Sequence, residues 1–217
     1  MSQDVGPILR EWDENPEVGS IRKIIGQDGN EKIQVRVEFG LLQMEMDGRP
    51  DGKKTYGKES LLEHYLSLLD DYVKEYEESS EFKLDSYDCE RLRDESLQYY
   101  QRYVIFFELK DYERAERDTS RNLRLLDIMK KHAENQDDAL SFEKYRPYIV
   151  MMNSRAKAYI KMANEEYLEA IGVVEEAIDS ITYFFRDNEF DEEDISSSQE
   201  LNALREMIRD IRNKWEG

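Results

Sequence analysis

The chain has 217 residues, 39% hydrophobic and 11% aromatic, with 50 acidic against 31 basic side chains and a net charge of −19. That apolar content excludes a disordered chain, and no apolar run approaches the roughly 18 residues that span a bilayer. The charge repels phosphate backbones, which argues against direct nucleic-acid binding and favours basic or cationic partners.

The N-terminal stretch MSQDVGPILREWDENPEVG has neither a basic leader nor an apolar signal core, so a cytoplasmic protein is expected. In EKIQVRVEF, Ile33, Val35, Val37 and Phe39 alternate with Lys32, Gln34, Arg36 and Glu38, the period-two pattern of a strand with one buried face. The preceding apolar run and the turn signal Asp28-Gly29-Asn30 predict a hairpin over residues 21–39. The alternation changes phase at Gly40, which predicts a bulge or bend. In GRPDG, Pro50 suits the first central position of a turn, Asp51 the second, and Gly52 the left-handed position that closes it. It lacks the spacing of a phosphate-binding loop and reads as a turn, with KKTY as the start of a further strand. Residues 1–57 therefore read as a β-meander of three or four strands, whose edge could pair with a second copy in a homodimer.

From residue 58 the period becomes helical. Ser60 and Glu63 form a capping-box pattern ahead of Leu62, Tyr65, Leu69, Tyr72 and Tyr76. Further amphipathic stretches run from about Asp85 to Leu109, Asp111 to His132, Pro147 to Met162 and Tyr167 to Phe185, and Ser197 with Glu200 could cap a last one. The stretch AENQDDALSFEKYR reads as a loop or short helix, and the acidic, Ser-rich RDNEFDEEDISSSQ as a solvated linker. The expected fold class is α+β, mainly α: a meander, a helical region over 58–190 with about six helices in all, and an acidic linker with a C-terminal helix over 191–217.

Two segments share one pattern. DYERAERDTSRNLRLL places Tyr112 three residues before Ala115 and Thr119 four after it, and EEYLEAIGVVEEAIDSI does the same with Tyr167, Ala170 and Val174. Each follows another helix, so the unit is a helical hairpin. This resembles the second helix of a tetratricopeptide repeat over residues 85–185, which implies stacked hairpins with a surface that binds peptides. The chain departs from that family's pattern: the two alanines are 55 residues apart, Arg102 and Lys157 stand at leucine positions, Tyr103 at a small position and Lys161 at an aromatic one. The segment KIQVRVEFGLLQMEMDGRPDG with the C-terminal SQELNALREMIRDIRNKW is similar to small bacterial proteins carrying a UvrB/UvrC-type helical hairpin, through Leu204, Arg205 and Glu206. That resemblance implies an accessory factor in DNA repair or stress response that acts through its last helix.

Chemistry is sparse. His64 and His132 have no His or Cys partner at metal-ligand spacing and read as surface residues, the single Cys89 as a small helix residue, and DNEFDEED lacks the glycine of a calcium loop. No catalytic residue, metal ligand or cofactor is assigned. The aromatic run YYQRYVIFF exceeds what one core stripe needs, so it is either buried between helices on two sides or lines a groove. On the second reading Tyr100, Phe107, Arg155 and Tyr159 are the protein-binding residues, and the expected role is a non-enzymatic adaptor for a protein or peptide partner.

Overall fold

The computed structural model describes residues 4–13, 20–79 and 81–216. Parts of the N-terminal stretch searched for a leader, and Ser80, lie outside the described residues. The chain divides into two compact units, Met1–Leu68 and Leu69–Gly217.

The first unit holds α1 (Gly6–Asp13), β1 (Ile21–Ile25), β2 (Glu31–Val37), β3 (Gly40–Glu45) and the start of α2 (Leu61–Tyr76), which continues into the second. The strands form one antiparallel sheet in the order β1-β2-β3. Its first hairpin closes as the sequence predicts: Gly26 N–H donates to the Asn30 carbonyl at 2.7 Å, and Gly29 takes the left-handed φ of +79°. Val37 pairs with Gly40, so the phase change is a two-residue reversal at Glu38 and Phe39 rather than a bulge.

The expectation of a single buried face on β2 is corrected. Paired residues on neighbouring strands share a face, and Arg22, Gln34 and Gln43 form a hydrogen-bonded row across all three. Arg22 Nε and Nη2 donate to Gln34 Oε1 at 3.0 and 2.8 Å, and Gln34 Nε2 donates to Gln43 Oε1 at 2.9 Å. Trp12 of α1 lies 4.1 Å from the Arg22 guanidinium and is buried, and Asp13 pairs with Arg36. Trp12 and Asp13 of α1 thus cover this polar face at Arg22 and Arg36, while Lys32 is buried with its partners Asp28 and Glu45 and Gln34 between Arg22 and Gln43. GRPDG is a turn: Gly52 N–H donates to the Arg49 carbonyl at 2.9 Å and Gly52 has φ +71°. The strand expected at KKTY is absent among the described residues, where Thr55 makes only an isolated bridge to Lys58.

The second unit is helical: α3 (Ser86–Glu108), α4 (Tyr112–His132), α5 (Gln136–Glu143), α6 (Arg146–Ala163), α7 (Tyr167–Asp187), α8 (Glu192–Ser197) and α9 (Gln199–Glu216). Nine helices among the described residues replace the six expected; α1, α5 and α8 are the additions. The acidic stretch is not wholly solvated, because Asp191 caps α8 by accepting from Asp194 N–H at 2.8 Å and Ile195 is buried. Ser198, one residue later than expected, caps α9. Helix α3 packs on α4, α4 on α6, α6 on α7 and α7 on α9; α5 contacts α3 and α4, and α9 also contacts α6.

The hairpins α3–α4 and α6–α7 close by the same turn. Lys110 and Glu165 take left-handed φ values of 56° and 62°, and the next residue's N–H reaches back to close the helix end: Asp111 to the Phe106 carbonyl at 2.8 Å, Glu166 to that of Lys161 at 3.0 Å. Glu189 ends α7 in the same way, with Phe190 N–H donating to the Phe185 carbonyl at 3.0 Å. Ala115 and Ala170, with Thr119 and Val174, are fully buried, since a methyl group lets neighbouring helices approach closely.

The α3–α4 seam also buries charge. Arg102 is fully buried and donates through Nε and Nη2 to Asp118 at 2.6 and 2.9 Å, an arrangement the leucine-position reading did not anticipate. Arg121 pairs with buried Glu95, and the Tyr99 ring lies 4.9 Å from the Arg102 guanidinium and 4.1 Å from that of Arg121. The position equivalent to Arg102 in the second hairpin, 55 residues on, is Lys157, which is exposed and 4.0 Å from Glu116, and Val173 stands where Asp118 does.

Removing one partner leaves the other charge buried and unpaired, so Arg102→Met is expected to lower unfolding free energy by about 3–5 kcal/mol. The double variant Arg102→Met/Asp118→Leu should recover most of that loss; urea denaturation of the three proteins measures it. Lys110→Gly, which relieves a left-handed non-glycine residue, should raise stability by about 0.5–1 kcal/mol in the same assay.

Candidate functional site

Helix periodicity puts Tyr100, Tyr103 and Phe107 on one side of α3, and Tyr148, Met152, Arg155 and Tyr159 on one side of α6. Between them α5 inserts Phe142. The result is a groove of about 460 Å³ whose walls include Leu97, Tyr100 and Tyr103 from α3, Phe142, and Tyr145, Tyr148 and Ile149 at and after the start of α6. Tyr100 meets Tyr103 and Tyr148 edge-on, at centroid distances of 5.4 and 6.1 Å. Tyr103 is the buried floor, while Leu97, Tyr100 and Tyr145 keep 49, 41 and 47% of their surface open to a ligand. Burial pushes the Tyr148 phenol above its ordinary pKa, assisted by Tyr100, so its hydroxyl is a neutral donor and acceptor at physiological pH. Lys144, 5.1 Å from the Tyr145 ring, and Glu200 supply the charged rim.

A second, smaller groove of about 230 Å³ lies along α6 against α9, lined by Arg155, Tyr159, Met162, Ala203, Glu206, Met207, Asp210 and Ile211. The Arg155 guanidinium lies 5.7 Å from the Phe107 ring, and Tyr159 stacks on Tyr112 at 4.4 Å.

The four residues singled out from sequence are therefore divided. Tyr100 lines the first groove, and Arg155 and Tyr159 line the second. Phe107 is half-buried beneath Arg155 and lines neither of these two grooves. Leu97, Phe142, Tyr145 and Tyr148 were missed, because α5 and the chain reversal after it decide where they point. One signal was present: Tyr148 lies two helical turns before Arg155 on the same face.

No protein-family model, curated protein or solved structure matches this chain.

Elsewhere, chemistry is subdued. Among the described residues no cluster of His, Cys, Asp and Glu is placed to hold a metal ion, and no helix is long and apolar enough to cross a membrane. Cys89 is buried, and desolvation raises its thiol to about 11, which removes the thiolate at neutral pH. The His64 ring lies tilted against that of Tyr56, with centroids 4.2 Å apart. His132 is not a surface residue: it is buried at the end of α4, Nδ1 lies 3.2 Å from the Phe82 carbonyl, and its own carbonyl accepts from Leu84 N–H at 2.8 Å. Helix α9 buries Leu201, Leu204, Ile208 and Ile211.

Burial holds the His132 imidazole below its ordinary pKa of 6.5, outweighing the raising effect of the Phe82 carbonyl. The unfolded chain then binds the proton more readily than the folded one, so this contribution to stability is present above that pH and is lost as pH falls below it. Urea unfolding between about pH 7.5 and 5.5 should show stability falling on acidification, with a shallower slope in His132→Gln.

Proposed function

We propose that the protein is a non-enzymatic adaptor that binds a peptide segment of a partner in the groove between α3, α5 and α6. The observation that carries this reading is the concentration of Tyr100, Tyr103, Tyr145 and Tyr148 in one groove, three of them accessible around a buried floor. Tyrosine offers large contact area with few rotatable bonds and a hydroxyl that pairs with peptide backbone, which makes it a common anchor of peptide recognition. The repeated hairpin geometry, with α6 shared by both grooves, supports the same reading, as does the resemblance to helical-repeat proteins. A role through α9 as a free pairing helix has less support, because its apolar stripe is already packed within its own unit. The proposed setting is the cytoplasm.

Truncating two half-open rings should weaken binding far more than folding. Capture from source-cell lysate with the intact protein should retain a partner that Tyr100→Ser/Tyr148→Ser loses. Titration of the captured partner's binding segment should show an affinity at least about tenfold lower for the variant, the scale expected for loss of an aromatic anchor. Equal retention by both proteins, with both folded by circular dichroism, would place the binding site elsewhere.

A further inference from the structure

Side chains of α6 and α9 line both grooves, so a ligand lying along α6 would follow a track through the two, and the charges there indicate its chemistry. Tyr148 and Tyr159 are about 16 Å apart along the α6 axis at 1.5 Å per residue. An extended peptide covers that span in about five residues. The first groove is the apolar end of the track, while the second is bordered on its α9 side by Glu206 and Asp210, both exposed. These two carboxylates stand one helical turn apart, where like charges repel. Neither has an ion pair or hydrogen bond among the described residues, and Glu200, one turn and a half before Glu206, lines the first groove.

The two cations that line the grooves, Arg155 and Lys144, are otherwise engaged. Arg155 is drawn onto the Phe107 ring and toward Met152 Sδ at 3.8 Å, and Lys144 leans on Tyr145 at the far rim. Helix α9 carries Arg205, Arg209, Arg212 and Lys214 as well as its acids, whereas α7 and α8, which pack against it, are strongly acidic. From residue 165 to residue 200 the only basic side chain is Arg186, and it is paired with Glu192. The floor beside the carboxylates is apolar, formed by Tyr159, Met162 and Met207. A lysine or arginine stem packs well on such a surface while its charged head reaches the acids.

We propose that the peptide this protein takes is basic and amphipathic, with an aromatic or aliphatic residue among Tyr100, Tyr145 and Tyr148 and lysine or arginine a few residues along, against Glu206 and Asp210. The assignment rests on the groove reading above and adds the partner's chemistry to it. Acidic segments are excluded by the same carboxylates, so the pair acts mainly on specificity and association rate.

The test is selection from a random-peptide display library on the full-length protein and on two variants, Tyr100→Ser and Glu206→Lys/Asp210→Lys. The expected result is enrichment of peptides that combine Lys or Arg with a nearby apolar residue. Affinity for them should fall about tenfold in each variant, and for the wild type should fall as salt rises. Selection on the charge-reversed variant should turn to acidic peptides. Enrichment of neutral or acidic peptides on the wild type, with binding lost in Tyr100→Ser, would overturn the basic preference and leave the groove standing. Basic peptides that bind all three proteins equally would be held by the general acidic surface, which overturns the inference. No enrichment at all would bring down the groove reading with it.

Discussion

The second unit depends on a pair of charges with no access to water. Arg102 and Asp118 are each fully buried, and moving two ions out of solvent costs several kcal/mol apiece before their attraction is counted. The arrangement is tolerable because it is well satisfied: two hydrogen bonds join guanidinium to carboxylate, Arg117 Nε adds a third at 3.0 Å, and Tyr99 and Phe106 present ring faces to the arginine. Two turns earlier on α3, Glu95 meets Arg121 with the signs reversed. A shifted α3–α4 register would bring like charges together or strand them in the interior. The pairs therefore select one alignment of these helices, whatever they add to net stability.

That alignment reaches the grooves through neutral polar contacts. Asn122 donates to the Ser96 carbonyl at 3.1 Å across the same seam, and Asn153 of α6 donates to Thr119 and Ser120 of α4 at 3.0 and 2.8 Å. Helix α4 thereby fixes α3 on one side and α6 on the other, and the gap left between those two is where α5 sits. Phe142 enters from α5 as part of the groove wall, so a short helix of low regularity turns a gap between two long ones into an aromatic trough.

How much of this was legible follows from the range of the forces involved. Period-two alternation gave β2, and turn chemistry gave the β1–β2 hairpin at Gly29 and the turn at Gly52, because these are properties of adjacent residues; the strand expected after Gly52 is absent among the described residues. The long helices of the second unit were readable from apolar spacing and from caps such as Asp85, Asp111 and Pro147. What failed was decided at a distance. Gln34 looks solvent-facing until Trp12 and α1 are placed over it, and His132 looks exposed until residues 82–84 run beside the end of α4. Arg102 looked like a misplaced leucine because its partner is sixteen residues away on another helix. Of the site, Tyr100, Arg155 and Tyr159 could be proposed from helix faces and Tyr148 carried the same signal, whereas Phe142 and Tyr145 required the position of α5.

The buried pair also distinguishes two hairpins that otherwise share a turn and an alanine. Lys157 and Val173 occupy the places of Arg102 and Asp118, one in solvent and the other carrying no charge. Setting α3 against α7 in place of α4 would face Arg102 with Val173 and leave an orphaned cation in a hydrocarbon interior. The hairpins are consequently not modular parts. The first could be copied whole into a longer array with its ion pair intact, but its helices could not be traded with those of the second, and recombination that mixed them would yield a chain unable to close its core.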